Sequence, residues 1–265
     1  MKIVLSIAGS DPSGGAGIQA DLKTFSSFGV YGLSVITSLT AQNTRGIREA
    51  FDLPPAFIRK QLNTINRDFT IDAVKIGMLR TKACVELVSR WLAANHQKNI
   101  VLDPVLKSST GKELLKEEGI EMLKRKLLPL ARIVTPNLNE ASTISGIEVR
   151  DLPSMKEAAR RIKSLGARSV LIKGGHLQKS AIDLFYDGRT FIQLQAKKIK
   201  GEFHGTGCTL SSATAAGLAK GWSTKKAVGE AKQYLTRTME SGFGFGKGQR
   251  LLNHNIFYLI SDYFE

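Results

Sequence analysis

The chain has 265 residues, of which 42% are hydrophobic and 23% are charged, and this composition excludes intrinsic disorder, a collagen-like sequence and a fibrous repeat. Lys and Arg outnumber Asp and Glu by 38 to 23, a formal net charge of +15 that would attract polyanions such as nucleotides or RNA. The basic clusters are short and scattered, without interleaved aromatic residues, which favours solvated helix faces over a nucleic-acid surface.

Predicted strands and helices alternate along the chain. The strands are short apolar or β-branched runs at 3–8, 34–40, 73–77, 99–103, 132–135 and 169–173, typical of strands buried on both faces. Helical patterns lie at 18–28, 55–69, 82–97, 113–127, 155–166, 207–219 and 224–241. This alternation predicts right-handed βαβ units, hence an α/β fold of three layers with helices on both sides of a mostly parallel sheet.

A late segment departs from this alternation. Residues 183–194 contain two strand-like runs around Asp187-Gly188, which predicts an antiparallel hairpin at one edge of the sheet. Because there is no linker, low-complexity stretch or repeat, we expect a single domain over residues 1–265.

The N-terminus and the lack of a long apolar run predict a cytoplasmic protein, and cysteine spacing argues against two kinds of site. Cys84 and Cys208 lie far apart, and no C-x-x-C or Cys/His pair has metal-ligand spacing, so neither a disulfide scaffold nor a zinc site is expected. The N-terminus enters a strand directly, without the layout of a signal peptide. No apolar run approaches the roughly 18 residues that would span a bilayer.

The first strand is followed by a glycine-rich turn, residues 9–17, with the sequence GSDPSGGAG. Glycines allow close approach of the backbone to a ligand, and Asp11 places an acceptor there. The spacing fits neither G-x-G-x-x-G nor a P-loop. A tight strand-to-helix turn is the alternative, and three glycines beside an Asp favour a ligand site.

Polar residues follow several further strands, where ligands gather in open parallel sheets. Gln42 offers a donor and an acceptor suited to the edge of a heterocycle, whereas Met78 taken alone indicates packing. Three later strand ends carry Asp103-Pro104-Val105, Thr135-Pro136-Asn137 with Glu140, and Lys173-Gly174-Gly175-His176. Each alone is better explained by a turn or a helix cap. Together, their carboxylates, amide and ammonium suit a magnesium-bound polyphosphate.

The segment His204-Gly205-Thr206-Gly207-Cys208-Thr209 leads into a helix of small residues. Backbone N–H groups at a helix start point outward and the helix dipole adds positive charge, so this segment predicts an anion site. We expect the helix start to lower the pKa of Cys208 below its free value of about 8.5. A buried structural cysteine is the alternative, and it is the interpretation that suits Cys84.

These segments, in this order, resemble the ribokinase-like superfamily and, within it, the hydroxymethylpyrimidine and phosphomethylpyrimidine kinases of thiamine biosynthesis. The matching motifs are AGSDPSGGAGIQADLKTF (8–25), TAQNTRG (40–46), KIGML (75–79), LDPV (102–105), TPNLNEA (135–141), KGGH (173–176) and HGTGCTLSSA (204–213). The resemblance implies a ribokinase-like fold, a homodimer, and dependence on ATP and Mg²⁺. It implies phosphorylation of 4-amino-5-hydroxymethyl-2-methylpyrimidine on its hydroxymethyl group, then of the monophosphate to the diphosphate.

The same resemblance implies roles for individual residues. Gln42 would hold the pyrimidine edge, with Gly9, Asp11, Ala16, Met78 and Val105 around the ring. Cys208 would be the catalytic residue, and Gly205, Thr206 and Gly207 would form the anion hole. Asn137, Lys173 and Thr206 would bind ATP, while Asp103 and Glu140 would hold magnesium.

The chain departs from the superfamily at two places. Many members carry Asp where this chain has Cys208, and the pattern Gly-x-Gly-Pro-Val-x-His is matched only loosely by residues 246–254, where the adenine pocket is expected. Since water competes for the transferred phosphate, we expect a lid, with 42–47 and 107–111 as candidates.

Two other functions stay open at this point. Pyridoxal kinase is the nearest alternative, because its substrate is also a flat heteroaromatic ring with a primary alcohol. A basic nucleotide-binding or RNA-binding protein without catalytic activity is the alternative from another class. It is disfavoured because such a protein has no need of a thiol framed by glycines.

Overall fold

The computed structural model describes residues 1–108, 111–175 and 181–256, and nine strands within these ranges form one sheet. In chain order they are β1 (Ile3–Ser10), β2 (Tyr31–Asn43), β3 (Gly46–Asp52), β4 (Ala73–Ile76), β5 (Ile100–Leu102), β6 (Ile133–Val134), β7 (Val170–Ile172), β8 (Ala181–Tyr186) and β9 (Phe191–Ala196). Their spatial order is β3-β2-β1-β4-β5-β6-β7-β8-β9. In this spatial order, each pair of neighbouring strands from β2 through β7 is parallel. Strand β3 at one edge and strands β8 and β9 at the other edge pair antiparallel to their neighbours. The mostly parallel sheet and the late edge hairpin are therefore confirmed.

Helices cover both faces of this sheet. They are α1 (Gly17–Ser27), α2 (Pro55–Asp68), α3 (Lys82–Ala94), α4 (Glu117–Met122), α5 (Leu138–Ser145), α6 (Leu152–Ser164), α7 (Thr206–Ala219) and α8 (Thr224–Glu240). One apolar core joins the sheet to α2, α3, α4, α5 and α6, and a second joins it to α1, α7 and α8. Successive strand residues point to opposite faces, which is why each central strand contributes to both cores. No helix in the described ranges has the length and hydropathy needed to cross a membrane.

Several elements differ from the sequence-based expectation. The helix predicted over 113–127 begins only at Glu117 and continues as a π-helix (Leu123–Leu127) and a 3₁₀ turn (Leu128–Leu130). Strand β3 was not predicted, because as an exposed edge strand it carries charged residues that hide the alternation. Helix α5 was also not predicted, since it has only eight residues and follows directly on a strand end.

The C-terminal part of the described chain returns to the glycine turn. Strands β10 (Phe203–His204) and β11 (Arg250–Leu251) pair in parallel as a separate two-stranded sheet. Beyond β11, His254 is buried, and its Nε2 lies 2.9 Å from Thr209 Oγ1. Through these two contacts, β11 and His254 hold the segment that leads into α7 and its first turn in place.

The two lid candidates differ in what the structure shows of them. Residues 42–47 form the tip of the β2–β3 hairpin, where the backbone N–H groups of Gly248 and Gln249 donate to Thr44 over 3.1 and 2.8 Å. Residues 109 and 110 of the second candidate lie outside the described residues. The existence of a lid stays a prediction.

Candidate active site

The glycine turn and the start of α7 lie in direct contact. Gly205 is the N-cap of α7 and has φ of +85°, a conformation that favours glycine. A Cβ atom at Gly205 would overlap the carbonyl oxygen of Gly15, and one at Gly15 would overlap the ring of His204. The two stretches that the sequence assigned to the ring and to the phosphate are therefore packed against each other, with no room for a side chain between them.

Asp11 organises the glycine turn from within. Its Oδ1 accepts hydrogen bonds from the N–H and hydroxyl of Ser13 over 2.9 and 2.8 Å. Its Oδ2 accepts from the N–H of Ala16 over 2.8 Å and lies 2.8 Å from Nε2 of His204. Burial raises the pKa of Asp11, but the hydrogen bonds from His204 and Ser13 outweigh burial and lower it to about 2. Asp11 is thus an ionised carboxylate that shapes the turn, with both oxygens engaged by the protein.

Gln42 reaches this cluster from the end of β2. Its side chain is half-buried, with Nε2 3.0 Å from His204 Nε2 and Oε1 3.1 Å from Thr40 Oγ1. Met78 covers Gly9, because a Cβ atom at Gly9 would overlap the Met78 terminal methyl group. Gln42 and Asp11 of the glycine turn therefore meet at His204, and Met78 contacts the same turn at Gly9.

Cys208 lies in the first turn of α7 and is half-buried, and the nearby backbone N–H of Gly17 favours its ionised form. Burial raises the pKa of Cys208 to about 11, although the charge of Lys75 acts in the opposite direction. The expectation of a lowered pKa is therefore wrong. Loss of solvation disfavours the thiolate more than the helix start and the lysine favour it. The thiol is protonated in nearly all molecules at neutral pH.

Behind Cys208 lies a buried ion pair that sequence analysis missed. Lys75 Nζ is 2.8 Å from both carboxylate oxygens of Asp21, and both side chains are fully buried. Ser6 and Ser212 each donate a 2.6 Å hydrogen bond to the same carboxylate. Burial opposes the charge of Lys75, but Asp21 raises the pKa of its ammonium above the usual value. The only sequence signal was a lysine inside the apolar strand β4.

A second charged cluster lies beside Gly207. Lys173 Nζ is 2.8 Å from Asp103 Oδ1 and 3.9 Å from Glu140 Oε2. Burial raises the pKa of Glu140 to about 7, with Lys173 lowering it and Asp103 raising it. A Cβ atom at Gly207 would lie 3.2 Å from Lys173 Nζ and 3.4 Å from Asp103 Oδ2. The predicted magnesium and ATP residues therefore meet at the start of α7.

The remaining predicted residues lie around this cluster. Asn137 is the N-cap of α5 and forms a capping box with Glu140. Thr206 is the first residue of α7 and is half-buried. Val105 is half-buried just after β5, and its N–H donates to the carbonyl of Asp103 over 2.9 Å. His176 of the KGGH motif lies outside the described residues.

The donor chemistry of this cluster fits a hard divalent cation beside the start of α7. Asp103 and Glu140 are both buried and converge on one ammonium, and the charge of Asp103 raises the pKa of Glu140, so added positive charge would stabilise the ionised carboxylates. Mg²⁺ takes one or two carboxylates and keeps several waters. No group of three or more His, Cys, Asp or Glu side chains suited to a metal occurs in the described ranges, so the cluster lacks an all-protein cage.

Comparisons with a family model, a named protein and two solved structures all show that this chain is similar to kinases. The sequence model of the family described as phosphomethylpyrimidine kinase matches residues 11–253. A hydroxymethylpyrimidine/phosphomethylpyrimidine kinase of Aquifex aeolicus (strain VF5) is 45% identical over 253 residues, 95% of this chain and 99% of that protein. A Bacillus subtilis pyridoxal kinase solved as an ADP complex has a TM-score of 0.91 at 40% identity, covering 98% of this chain and 100% of that chain. A phosphomethylpyrimidine kinase from Clostridium difficile 630 has a TM-score of 0.80 at 43% identity, covering 89% and 99%.

Proposed function

The chain belongs to the phosphomethylpyrimidine kinase family, and from this we infer that it is an ATP-dependent kinase with the ribokinase-like fold. It phosphorylates 4-amino-5-hydroxymethyl-2-methylpyrimidine and then the monophosphate, giving the diphosphate used in thiamine biosynthesis. The observation that supports this assignment is the contact between the glycine turn and the start of α7, which brings the proposed ring-binding residues beside the proposed anion site. Family membership supplies the substrates, and this geometry supports the residue roles that follow.

The start of α7 is the proposed cradle for the transferred phosphoryl group. The first internal hydrogen bond of α7 runs from the N–H of Thr209 to the carbonyl of Gly205, so the amides of 206–208 precede it and point outward. The helix dipole adds positive charge at the same place. Phosphoryl transfer needs alignment and charge neutralisation above all, and these amides supply both.

The acceptor ring is proposed to lie between the glycine turn and Gln42, with Met78, Ala16 and Val105 around it. Asp11 acts on the ring indirectly, because its carboxylate is engaged in holding the turn. The hydroxymethyl oxygen then faces Cys208, the residue of α7 whose thiol lies near the backbone N–H of Gly17 in the turn. Such fixed placement of two reactants accounts for much of the rate gain in transfer reactions.

Cys208 is proposed to take the proton of the hydroxymethyl group in the first phosphorylation. Only the thiolate accepts a proton, and the raised pKa makes the thiolate a small fraction at neutral pH. The second phosphorylation needs no base, since its nucleophile is a phosphate oxygen that is already ionised. The two reactions therefore depend on Cys208 differently.

Asp103 and Glu140 are the residues proposed to hold Mg²⁺, and Lys173 and Asn137 are proposed to contact the ATP phosphates with Thr206. The ion, when bound, neutralises charge that develops on the phosphate oxygens. Lys173 supplies a fixed positive charge at the same place, held by its 2.8 Å bond to Asp103. Asp183 hydrogen-bonds the N–H of Gly174 over 2.9 Å and so supports the strand end that carries this lysine.

A second activity, on pyridoxal, is favoured by one observation. The pyridoxal kinase of Bacillus subtilis superposes with a TM-score of 0.91, against 0.80 for the phosphomethylpyrimidine kinase of Clostridium difficile. Backbone shape therefore does not separate the two acceptor alcohols, and we propose pyridoxal as a weaker substrate of the same site.

We further propose one domain over residues 1–265, a homodimer and a cytoplasmic location. One sheet carries both apolar cores, which supports a single domain. Leu39 and Phe51 are neighbours across β2 and β3 and stay 45% and 62% exposed, which supports association through this edge. Sedimentation of the wild type and of Phe51→Lys tests the dimer: a lighter variant supports it, and a monomeric wild type refutes it.

Phosphate transfer from ATP to three acceptors tests the assignment. The acceptors are the hydroxymethylpyrimidine, its monophosphate and pyridoxal at matched concentrations. We expect turnover of both pyrimidines, with kcat/KM for pyridoxal below that for the hydroxymethylpyrimidine. Turnover of pyridoxal alone would replace the assignment with pyridoxal kinase. Retention of RNA at moderate salt without ATP turnover would instead support an RNA-binding protein without catalytic activity, since phosphate-driven binding weakens steeply with salt.

A further inference from the structure

Two polar neighbours of His204 make opposite demands on the same ring nitrogen. Its Nε2 lies 2.8 Å from Asp11 Oδ2 and 3.0 Å from the amide nitrogen of Gln42. A carboxylate accepts a proton and an amide nitrogen donates one. A single ring nitrogen cannot satisfy both neighbours, since the first requires it to carry hydrogen and the second requires a lone pair.

The ionisation of Asp11 decides which neighbour the ring nitrogen serves. With a pKa of about 2, this carboxylate carries no proton at neutral pH, so the hydrogen of the 2.8 Å bond belongs to His204 Nε2. This holds for the neutral ring with hydrogen on Nε2 and equally for the doubly protonated ring. In either form Nε2 is a donor. The N–H₂ group of Gln42 that faces it is also a donor, so neither group offers the other an acceptor.

A second conflict occurs at the other end of the same amide. The Thr40 hydroxyl lies 2.9 Å from the carbonyl oxygen of Ser10 and 3.1 Å from Oε1 of Gln42. Both partners are acceptors, and a hydroxyl has only one hydrogen. Exchanging the oxygen and nitrogen of the Gln42 amide removes both conflicts. The oxygen then shares the Nε2 hydrogen of His204 with Asp11 in a three-centre hydrogen bond, and the nitrogen donates to Thr40, whose own hydrogen goes to Ser10.

We propose that His204 and Thr40 hold the Gln42 amide in this exchanged orientation, oxygen toward His204, and that His204 is thereby a positioning residue for acceptor specificity. The proposal rests on the proposed role of Gln42 at the ring edge. In this orientation the amide keeps one N–H and one oxygen lone pair for the substrate, side by side. Their order is fixed: the acceptor lies on the His204 side and the donor on the Thr40 side.

This order selects for an aminopyrimidine. Such a ring has an exocyclic amino donor directly beside a ring-nitrogen acceptor, so one amide pairs with both groups, the amino group lying toward His204. In pyridoxal the ring nitrogen and the phenolic hydroxyl are separated by a methyl-bearing carbon, so one amide pairs with only one of them. Loss of the fixed orientation should therefore harm the pyrimidine more than pyridoxal.

Two variants of His204 test the proposal by steady-state kinetics. His204→Phe fills similar space without a donor, whereas His204→Gln keeps an N–H near the position of Nε2. We expect His204→Phe to raise KM for the hydroxymethylpyrimidine about tenfold, the effect of losing one buried hydrogen bond. KM for ATP should stay within about twofold, KM for pyridoxal should rise less, and His204→Gln should recover most of the loss. An equal rise in both variants, or an equal rise in KM for ATP, overturns the proposal in favour of a merely structural role.

The protonation of His204 gives a readout that needs no activity. Long-range ¹H–¹⁵N spectra of histidine-labelled wild type report which ring nitrogens carry hydrogen, and loss of one signal set in His204→Gln assigns it. We expect hydrogen on Nε2, and an unprotonated Nε2 overturns the proposal even where His204→Phe fails to fold. A wild type that does not phosphorylate the pyrimidine would refute the proposed function instead, while the spectrum still decides the amide orientation.

Discussion

The pH dependence of the first phosphorylation gives a direct test of the role of Cys208. Burial raises the pKa of this thiol to about 11, so about three molecules in 10⁴ carry the thiolate at pH 7.5 and about three in 10² at pH 9.5. If the thiolate takes the hydroxyl proton, kcat/KM for the hydroxymethylpyrimidine rises about hundredfold over this range. The profile of kcat/KM reports ionisations of the free enzyme, to which this pKa refers.

The range above pH 7.5 avoids the other ionisations near the site. Glu140, with a pKa of about 7, is already mostly ionised there. The phosphate of the monophosphate substrate, with a second pKa near 6, is fully ionised as well. The assay is initial-rate phosphorylation at saturating ATP and low pyrimidine alcohol, with the thermal stability of the protein measured at each pH.

The internal control is the second phosphorylation by the same enzyme, for which we expect little change over this range. In Cys208→Ala the slope of the first reaction should vanish, and the first reaction should lose far more rate than the second. A flat profile in the wild type, or equal losses of both reactions in Cys208→Ala, would refute proton transfer to the thiolate and leave Cys208 a role in positioning.

Two further predictions concern buried charges. Burial lowers the pKa of His254 to about 4, so between pH 6.5 and 4 the unfolded chain binds a proton that the folded one does not, and stability falls as pH falls. Urea unfolding at pH 7.5 and 4.5 should show about 2.5 kcal/mol of this loss in the wild type relative to His254→Gln, and identical pH dependence in the two proteins would contradict the argument. Lys75→Met leaves Asp21 as a buried unpaired charge and should cost about 3–5 kcal/mol, whereas Lys75→Met/Asp21→Leu should recover most of the loss, as shown by urea unfolding. If Lys75→Met were as stable as Lys75→Met/Asp21→Leu, an unpaired Asp21 would not carry the cost that its burial implies, and the argument would be contradicted.

Sequence patterns predicted the parallel sheet and its late hairpin because both depend on local regularities. Strands β4 and β5 are short apolar runs, and Asp187-Gly188 is a local turn signal. Strand β3 escaped prediction because edge strands carry polar residues on exposed positions, and α5 because eight residues show little periodicity. Local pattern therefore identified the elements long or apolar enough to show a period, and missed an exposed edge strand and a short helix.

The motifs of the site were visible in the sequence, but their electrostatics were not. The helix start favoured a lowered pKa for Cys208, whereas packing against the glycine turn removes water and raises it. The hydrogen bond between Asp11 and His204 joins residues 193 positions apart, and no spacing rule connects them. The partner of Lys75 was equally hidden, since Asp21 looked like an ordinary polar residue of α1. These properties depend on tertiary contacts that a single sequence does not encode in its local pattern.

The central claim is that phosphate is transferred where the start of α7 touches the glycine turn, and two glycines with matched backbones test it. Gly205 and Gly221 both have φ of +85°, but a Cβ atom at Gly205 would overlap the Gly15 carbonyl oxygen, whereas nothing lies within 4 Å of one at Gly221. Alanine at either position carries a similar backbone strain. The decisive measurement is the rate of both phosphorylations in folded Gly205→Ala and Gly221→Ala. The account predicts that Gly205→Ala loses both reactions while Gly221→Ala keeps them, and a Gly205→Ala enzyme as active as Gly221→Ala would contradict it.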